Sequence, residues 1–193
     1  MLKTLAATPA AALAFTWTMD EAVEASARSQ QARAQAAAAK KPYKPRFFNA
    51  HEYATVIALG DMILPKDERS GSASDAGAPE FIDYIVAEQP ARQVAIRGGL
   101  QWLDAECVRR FDKKFLDAPD ASRRQVLDDI AWPKKARPGM SHGVRFFTTM
   151  RDLVATGFWS SRVGVTDLGY LGNVMLGEWP GPPEAVLQKL GVG

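Results

Sequence analysis

The chain has 193 residues, of which 47% are hydrophobic and 24% charged, a composition that suffices for one buried core and an ordinary polar surface. The net charge of +2 gives no electrostatic reason to expect a nucleic acid or an anionic membrane surface as partner. A single cysteine excludes an intramolecular disulfide, and no apolar run has the length of a membrane-spanning helix, so we expect no direct membrane span.

The N-terminal residues predict an export signal. Leu2 to Phe15 is a mildly apolar, alanine-rich stretch with a lysine near its start, as in the core of such signals. Met1-Leu2-Lys3 is similar to the end of a twin-arginine motif without its two arginines. We therefore expect twin-arginine export and a periplasmic location. The alternative is a frayed alanine-rich helix or tail.

The export signal belongs to a longer predicted segment, residues 1–45. Residues 19–41 have high helix propensity but no broad apolar face, which predicts either an exposed helix or an arm that wraps a partner. Pro42 and Pro45 then end any helix and form a linker to the body.

Residues 46–193 form the second predicted segment, a helical domain. Apolar residues recur there at helical spacing, and cap residues or prolines mark the ends of the runs. The predicted helices cover residues 49–64, 79–88, 90–111, 122–131, 141–157 and 183–190. Residues 70–78 are rich in serine, glycine and alanine and are predicted to form a surface loop. The fold class is therefore all-α, a small irregular helical bundle with a Gly/Pro/aromatic-rich C-terminal loop region.

Three local features refine this prediction. Asn49 and Glu52 have the spacing of a capping box, and Ser141 is predicted to cap the helix that follows it. Gly98-Gly99 lies in the middle of a predicted helix, where it permits a kink or a close helix crossing.

The segment from residue 143 to residue 183 is the most informative for function. An aromatic-rich helix leads into a loop dense in glycine and proline, a composition that suits a surface pressed against another protein. The predicted partner-binding residues are Phe158, Trp159, Tyr170 and Trp179. Trp179 is the best candidate because Gly177, Pro180, Gly181, Pro182 and Pro183 surround it. The alternative for at least half of the aromatic residues, including Phe146, Phe147 and Phe158, is a place in the core.

The reactive side chains predict structural roles. His51 and His142 lack the paired spacing of a metal site, and Cys107 lies on an apolar helix face as a buried, inert thiol. Asp61 is predicted to make a polar contact at a helix end. Arg151 is predicted to pair with a carboxylate such as Asp167 and so to fix the loop. We expect no catalytic, cofactor-binding or metal-binding residue in this chain.

Two stretches of the body resemble a known family. The first runs from Phe48 to Pro65 and contains Asn-Ala-His-Glu-Tyr and Ala-Leu-Gly-Asp-Met-Ile-Leu-Pro. The second runs from Phe146 to Tyr170 and contains Gly-Phe-Trp-Ser-Ser and Asp-Leu-Gly-Tyr. Their order and spacing resemble the gluconate 2-dehydrogenase subunit 3 family over residues 47–183. Members are the small, or gamma, subunits of FAD-dependent sugar and polyol dehydrogenases.

The resemblance implies a non-catalytic subunit. Its partner would be a large flavoprotein of the glucose-methanol-choline (GMC) class, which holds FAD and oxidises a sugar hydroxyl, and a cytochrome c often takes the electrons onward. The small subunit would stabilise the folded catalytic subunit, help it mature and carry it through twin-arginine export. This chain itself would hold no cofactor.

Two alternatives belong to other functional classes. A stand-alone enzyme acting on a small molecule needs converging polar groups, for which Asp61, Arg151, Asp167 and Tyr170 are the available set. A helical adaptor unrelated to redox chemistry would differ in its binding partner.

Overall fold

The computed structural model describes residues 19–169, 177 and 181–191, which fold into nine helices without a strand. The helices are α1 (Met19–Ala38), α2 (Ala50–Ile63), α3 (Ala73–Ala76), α4 (Ala78–Glu88), α5 (Pro90–Phe111), α6 (Asp120–Ala131), α7 (Ser141–Trp159), α8 (Arg162–Asp167) and α9 (Glu184–Leu190). The predicted all-α class is confirmed.

Helix α7 is the centre of the bundle. It contacts α4, α5 and α6 most extensively, and α1, α2, α3 and α8 also pack against it. Its buried side chains recur every three or four residues and are Phe146, Phe147, Met150, Leu153, Val154 and Phe158. Each such side chain contributes about 1.5–3 kcal/mol when it is removed from water. The opposite face of α7 remains in solvent.

Helices α5 and α7 cross at close range because two glycines receive aromatic rings. A Cβ added at Gly99 would lie 1.9 Å from Cδ2 of Phe146, and one added at Gly143 would lie 2.2 Å from Cη2 of Trp102. Each helix therefore supplies one glycine and one ring to the contact. The close crossing predicted from the Gly98-Gly99 pair is confirmed, and α5 is continuous from Pro90 to Phe111.

The linker before α2 is held by one buried carboxylate. Asp83 of α4 is fully buried and accepts hydrogen bonds from the Tyr43 hydroxyl (2.9 Å) and from three consecutive backbone N–H groups, at Arg46 (2.7 Å), Phe47 (3.0 Å) and Phe48 (3.2 Å). Burial, and then the charge of Asp83, raise the pKa of Tyr43 well above its usual value, which keeps the hydroxyl a donor. The chain then enters α2 through the predicted capping box of Asn49 and Glu52, which is confirmed.

Helix α1 packs along the body on a face of small residues. Ala22, Ala25, Ser26 and Ser29 are buried against α4 and α7, and the Ser26 hydroxyl donates to the carbonyl of Ser160 at 2.9 Å. Small residues allow close packing without a broad apolar face, which is why the sequence pattern indicated no such contact. The segment Met19–Ala38 is thus a packed helix and not a free arm.

Two short helices lie inside regions that were predicted to be loops. Helix α3 begins at a second capping box, formed by Ser72 and Asp75, and α8 begins where the Ser161 hydroxyl accepts from Gly164 N at 3.1 Å. Both are too short to show apolar periodicity. The prediction for Ser141 was wrong, because α7 starts at this residue after Met140 and has no side-chain cap.

Candidate partner-binding surfaces

The first candidate surface, called here the α7–α8 corner, consists of Trp159 at the end of α7 and Leu168 just after α8. Trp159 is 39% exposed and Leu168 61% exposed. The Trp159 ring meets the ring of Phe158 edge to face at 5.5 Å, which restricts its orientation. The corner therefore presents apolar surface that the described residues leave in solvent.

The backbone around this corner is held by close contacts. The Ser161 hydroxyl donates to the carbonyl of Phe158 at 2.6 Å in the last turn of α7, while its oxygen caps α8. A Cβ at Gly164 would lie 2.2 Å from that same carbonyl oxygen, so only glycine permits the first turn of α8 to lie so near. The turn between the two helices sets the separation of Trp159 and Leu168.

The structure assigns the predicted partner-binding residues to different places. Phe158 is only 3% exposed and packs inside the chain, so we correct its assignment as an exposed anchor. Trp159 has the exposure that an anchor needs, and its binding role stays a prediction. Tyr170 and Trp179 lie outside the described residues.

Asp61 has the predicted structural role. One of its carboxylate oxygens accepts from the backbone N–H of Ser74 and the other from the Ser74 hydroxyl, both at 2.8 Å. Because Ser74 lies in the first turn of α3, where N–H groups lack helical partners, Asp61 ties the end of α2 to that helix. The predicted helix-end polar contact is confirmed.

The predicted pair of Arg151 and Asp167 was wrong. Arg151 is exposed on α7 and contacts the neighbouring Asp152, with 2.9 Å between Nη2 and Oδ1. Asp167 instead pairs with Arg69, which reaches its carboxylate at 3.1 Å and its backbone carbonyl at 2.7 Å. Arg69 follows α2 and carries no distinguishing sequence signal. Among the described residues, no hydrogen bond or ion pair joins Arg151 to Asp61 or Asp167.

His51 and Cys107 make structural contacts, whereas His142 lies at the surface. His51 Nε2 lies 2.6 Å from Asp104, whose other oxygen accepts from Phe115 N, so this contact links α2 to α5 and to the turn after it. His142 is exposed beside Arg145. Cys107 is buried, and burial raises the pKa of its thiol to about 11, as expected for an unreactive cysteine. Within the described part of the chain, no three metal-ligating side chains come together.

The second candidate surface is the α5/α7 cleft, an open groove of about 680 Å³ beside the glycine crossing. Its lining residues include Val94, Gly98 and Trp102 from α5, and Arg145, Phe146 and Thr149 from α7. A neighbouring hollow formed by the loop before α7 shares Val144 and Arg145 with it. This surface was not predicted from the sequence, although the Gly98-Gly99 pair was a signal for it.

The described helices do not include one that combines the length and the apolar character needed to cross a membrane.

Comparison with known proteins identifies the class. The family model for gluconate 2-dehydrogenase subunit 3 matches residues 50–181, which is more than half of the chain. The chain therefore belongs to the gluconate 2-dehydrogenase subunit 3 family, as the resemblance of its two motif stretches indicated. Members of this family are subunits of a dehydrogenase complex. No curated protein and no solved structure matches the chain.

Proposed function

We propose that this chain is the non-catalytic small subunit of a flavin-dependent sugar or glucoside dehydrogenase complex. It binds the catalytic subunit, a GMC-type flavoprotein that carries FAD, and stabilises it and helps its export to the periplasm through the twin-arginine route. A cytochrome c subunit is a further proposed component of the electron path. The family match over residues 50–181 is the observation that carries this proposal.

The α7–α8 corner supports a binding role. Trp159 and Leu168 are large apolar side chains in solvent, and the short cap at Ser161 holds their backbone in one arrangement. A preorganised Trp loses little conformational freedom on binding, which is why such residues often dominate an interface. The Gly/Pro-rich segment that contains Trp179 follows this corner in the chain and lies outside the described residues.

The first test is a pull-down of the tagged full chain from its native cells, with an absorbance spectrum of the eluate. We expect a large partner with a flavin spectrum, and haem bands if a cytochrome belongs to the complex. A colourless eluate without a partner, together with oxidation of a small molecule by the isolated chain, would contradict the proposal and favour the stand-alone enzyme. A partner without redox cofactors would favour the adaptor.

A single substitution tests the corner. We expect Trp159→Ala to weaken binding of the flavoprotein by about tenfold or more, because a central Trp contributes roughly 2 kcal/mol or more to an interface. The free energy of unfolding should fall by about 1–2 kcal/mol, because the side chain is 39% exposed and the substitution removes its packing on Phe158. Trp132→Ala is the matched control, because Trp132 is 64% exposed and lies at the end of α6. Equal binding by both variants would show that the corner is not the interface.

Trp179→Ala is expected to weaken binding without unfolding the chain.

A further inference from the structure

We infer that the α5/α7 cleft is a second docking site for the catalytic subunit, and that it takes an acidic segment of that protein with apolar side chains as anchors. This inference rests on the proposed function, because it names the chemistry of the same partner at another surface. Four observations lead to it: the apolar floor of the cleft, its charge, the absence of a carboxylate partner for Arg145 among the described residues, and the position of the cleft on α7.

The floor of the cleft is apolar and rigid. Phe146 and Trp102 are seated against Gly99 and Gly143, so neither ring can move deeper without a shift of the helices. Above this floor, a Cβ at Gly98 would meet nothing within 4 Å, and Val94 is 84% exposed. Apolar side chains of a partner would therefore find open space over a firm apolar base. Grooves between packed helices are a common site for such anchors.

The charge of the cleft selects the partner's chemistry. Arg145 and His142 line it, while Arg137 of the neighbouring hollow is already paired with Asp129. Neither lining includes an Asp or Glu side chain among the described residues. The cleft thus presents the guanidinium group of Arg145 beside apolar surface. A segment that carries carboxylates next to apolar residues is the complementary occupant.

Arg145 is the residue best placed to receive a carboxylate. Most described arginines form an ion pair with a carboxylate of this chain, such as Arg97 with Glu52 and Arg110 with Glu106. Within the described residues, the only hydrogen-bond contact of the Arg145 guanidinium group is with the ring of His142, with Nη2 3.2 Å from Nδ1, and the group makes no ion pair with a carboxylate. Its planar group is therefore open to a two-point contact with an incoming Asp or Glu.

The cleft and the α7–α8 corner both lie along one exposed face of α7. Arg145, Asp152 and Trp159 are all exposed and lie seven residues apart on α7. Residues at this spacing share a helix face, and 14 residues correspond to about 21 Å along the axis. One partner surface can therefore contact both sites, which raises the overall affinity above that of either alone.

The experiment uses the full chain and the purified catalytic flavoprotein, with the dissociation constant as the readout. We expect Gly98→Trp, which fills the cleft, and Arg145→Glu, which reverses its charge, to weaken binding by about tenfold or more. The matched controls are Ala27→Trp and Arg28→Glu, both at exposed positions of α1, which contributes no residue to the lining of the cleft. Both controls should bind within about twofold of the wild type. Thermal unfolding of each variant shows whether it is folded, and Arg145→Glu still tests the site if Gly98→Trp fails to fold.

A photo-crosslinking residue at position 98 identifies the occupant. We expect the crosslinked peptide to be an acidic segment of the flavoprotein, and we expect no such crosslink from position 27 on α1. Wild-type binding of a flavoprotein, combined with full binding by Gly98→Trp and Arg145→Glu, would overturn this inference and leave the proposed function standing. Failure of the wild type to bind any flavoprotein would instead refute the proposed function. Crosslinks only to a second copy of this chain would show a homo-oligomer contact and also overturn the inference.

Discussion

The α4 side of the bundle and the solvent face of α7 differ in whether their polar and apolar groups find partners within the chain. On the α4 side, Asp83 receives four hydrogen bonds and closes the linker over the core. On the α7 face, Trp159 remains in solvent and Arg145 has no carboxylate partner among the described residues. In the first region, the hydrogen-bonding groups around Asp83 have partners within the chain. The second leaves binding groups open, and we therefore place the partner there.

The largest expected effect comes from removing the carboxylate on the closed side. Asp83→Ala leaves three backbone N–H groups and the Tyr43 hydroxyl without their acceptor, and we expect a loss of about 3–5 kcal/mol in the free energy of unfolding. Urea unfolding measures this change. Asp83→Asn, which retains one acceptor oxygen, should lose less. A loss below about 1 kcal/mol would show that the linker does not depend on this residue.

The glycine pair at positions 98 and 99 sets a closed position beside an open one within a single helix. We expect Gly99→Ala to destabilise the chain by about 1–3 kcal/mol, because its methyl group would overlap the Phe146 ring. Gly98→Ala should be neutral or stabilise by up to about 1 kcal/mol, because its methyl group meets nothing and alanine favours helix. Thermal unfolding of the two variants and the wild type measures these changes in stability. Equal effects would contradict the close crossing.

A smaller effect is expected at Glu106, whose ion pairs with Arg109 and Arg110 lie within α5, beside the pair of Arg110 and Asp129 that ties α5 to α6. Hydrogen bonds first from Arg109 and then from Arg110 lower the pKa of the buried Glu106 carboxyl, and Arg110 also contacts Asp129 at 2.6 Å. Because the folded-state pKa lies below the unfolded one, the stabilisation is present above the unfolded pKa, about 4.3, and is lost as the pH falls through the folded value.

The measurement is the free energy of unfolding of the wild type and of Glu106→Gln as the pH is lowered. At neutral pH we expect the variant to be less stable by about 1–2 kcal/mol, the scale of a hydrogen bond to a charged group. The difference should shrink on acidification, because the wild type then loses its charge. A difference that does not depend on pH would contradict the assigned cause.

Much of the fold was predictable from the sequence because long helices repeat their apolar residues every three or four positions. The pattern located α2, α4, α5, α6 and α7 to within a few residues, and the capping box at Asn49 marked the start of α2. The pattern failed for α3 and α8, which are too short for periodicity, and it missed the contact of α1 because small residues produce little apolar signal.

The candidate sites were predictable only in part. Trp159 stood out by residue type, and the Gly98-Gly99 pair indicated a close crossing. Nothing in the residue order distinguished Phe158 from Trp159, because adjacent positions on a helix differ by 100° in direction and burial depends on which face meets the core. The open space above Gly98 likewise depends on neighbours from another helix.

The sequence by itself determined the helical class, the main helices, the buried thiol of Cys107 and the family. These properties are local, or are carried by the order and spacing of motifs along the chain. The tertiary structure alone decided that Asp83 holds the linker, that Arg69 and not Arg151 pairs with Asp167, and that Arg145 is left beside an open cleft. Such pairings join residues far apart in sequence, and only the packing of the helices sets which charged groups come within reach.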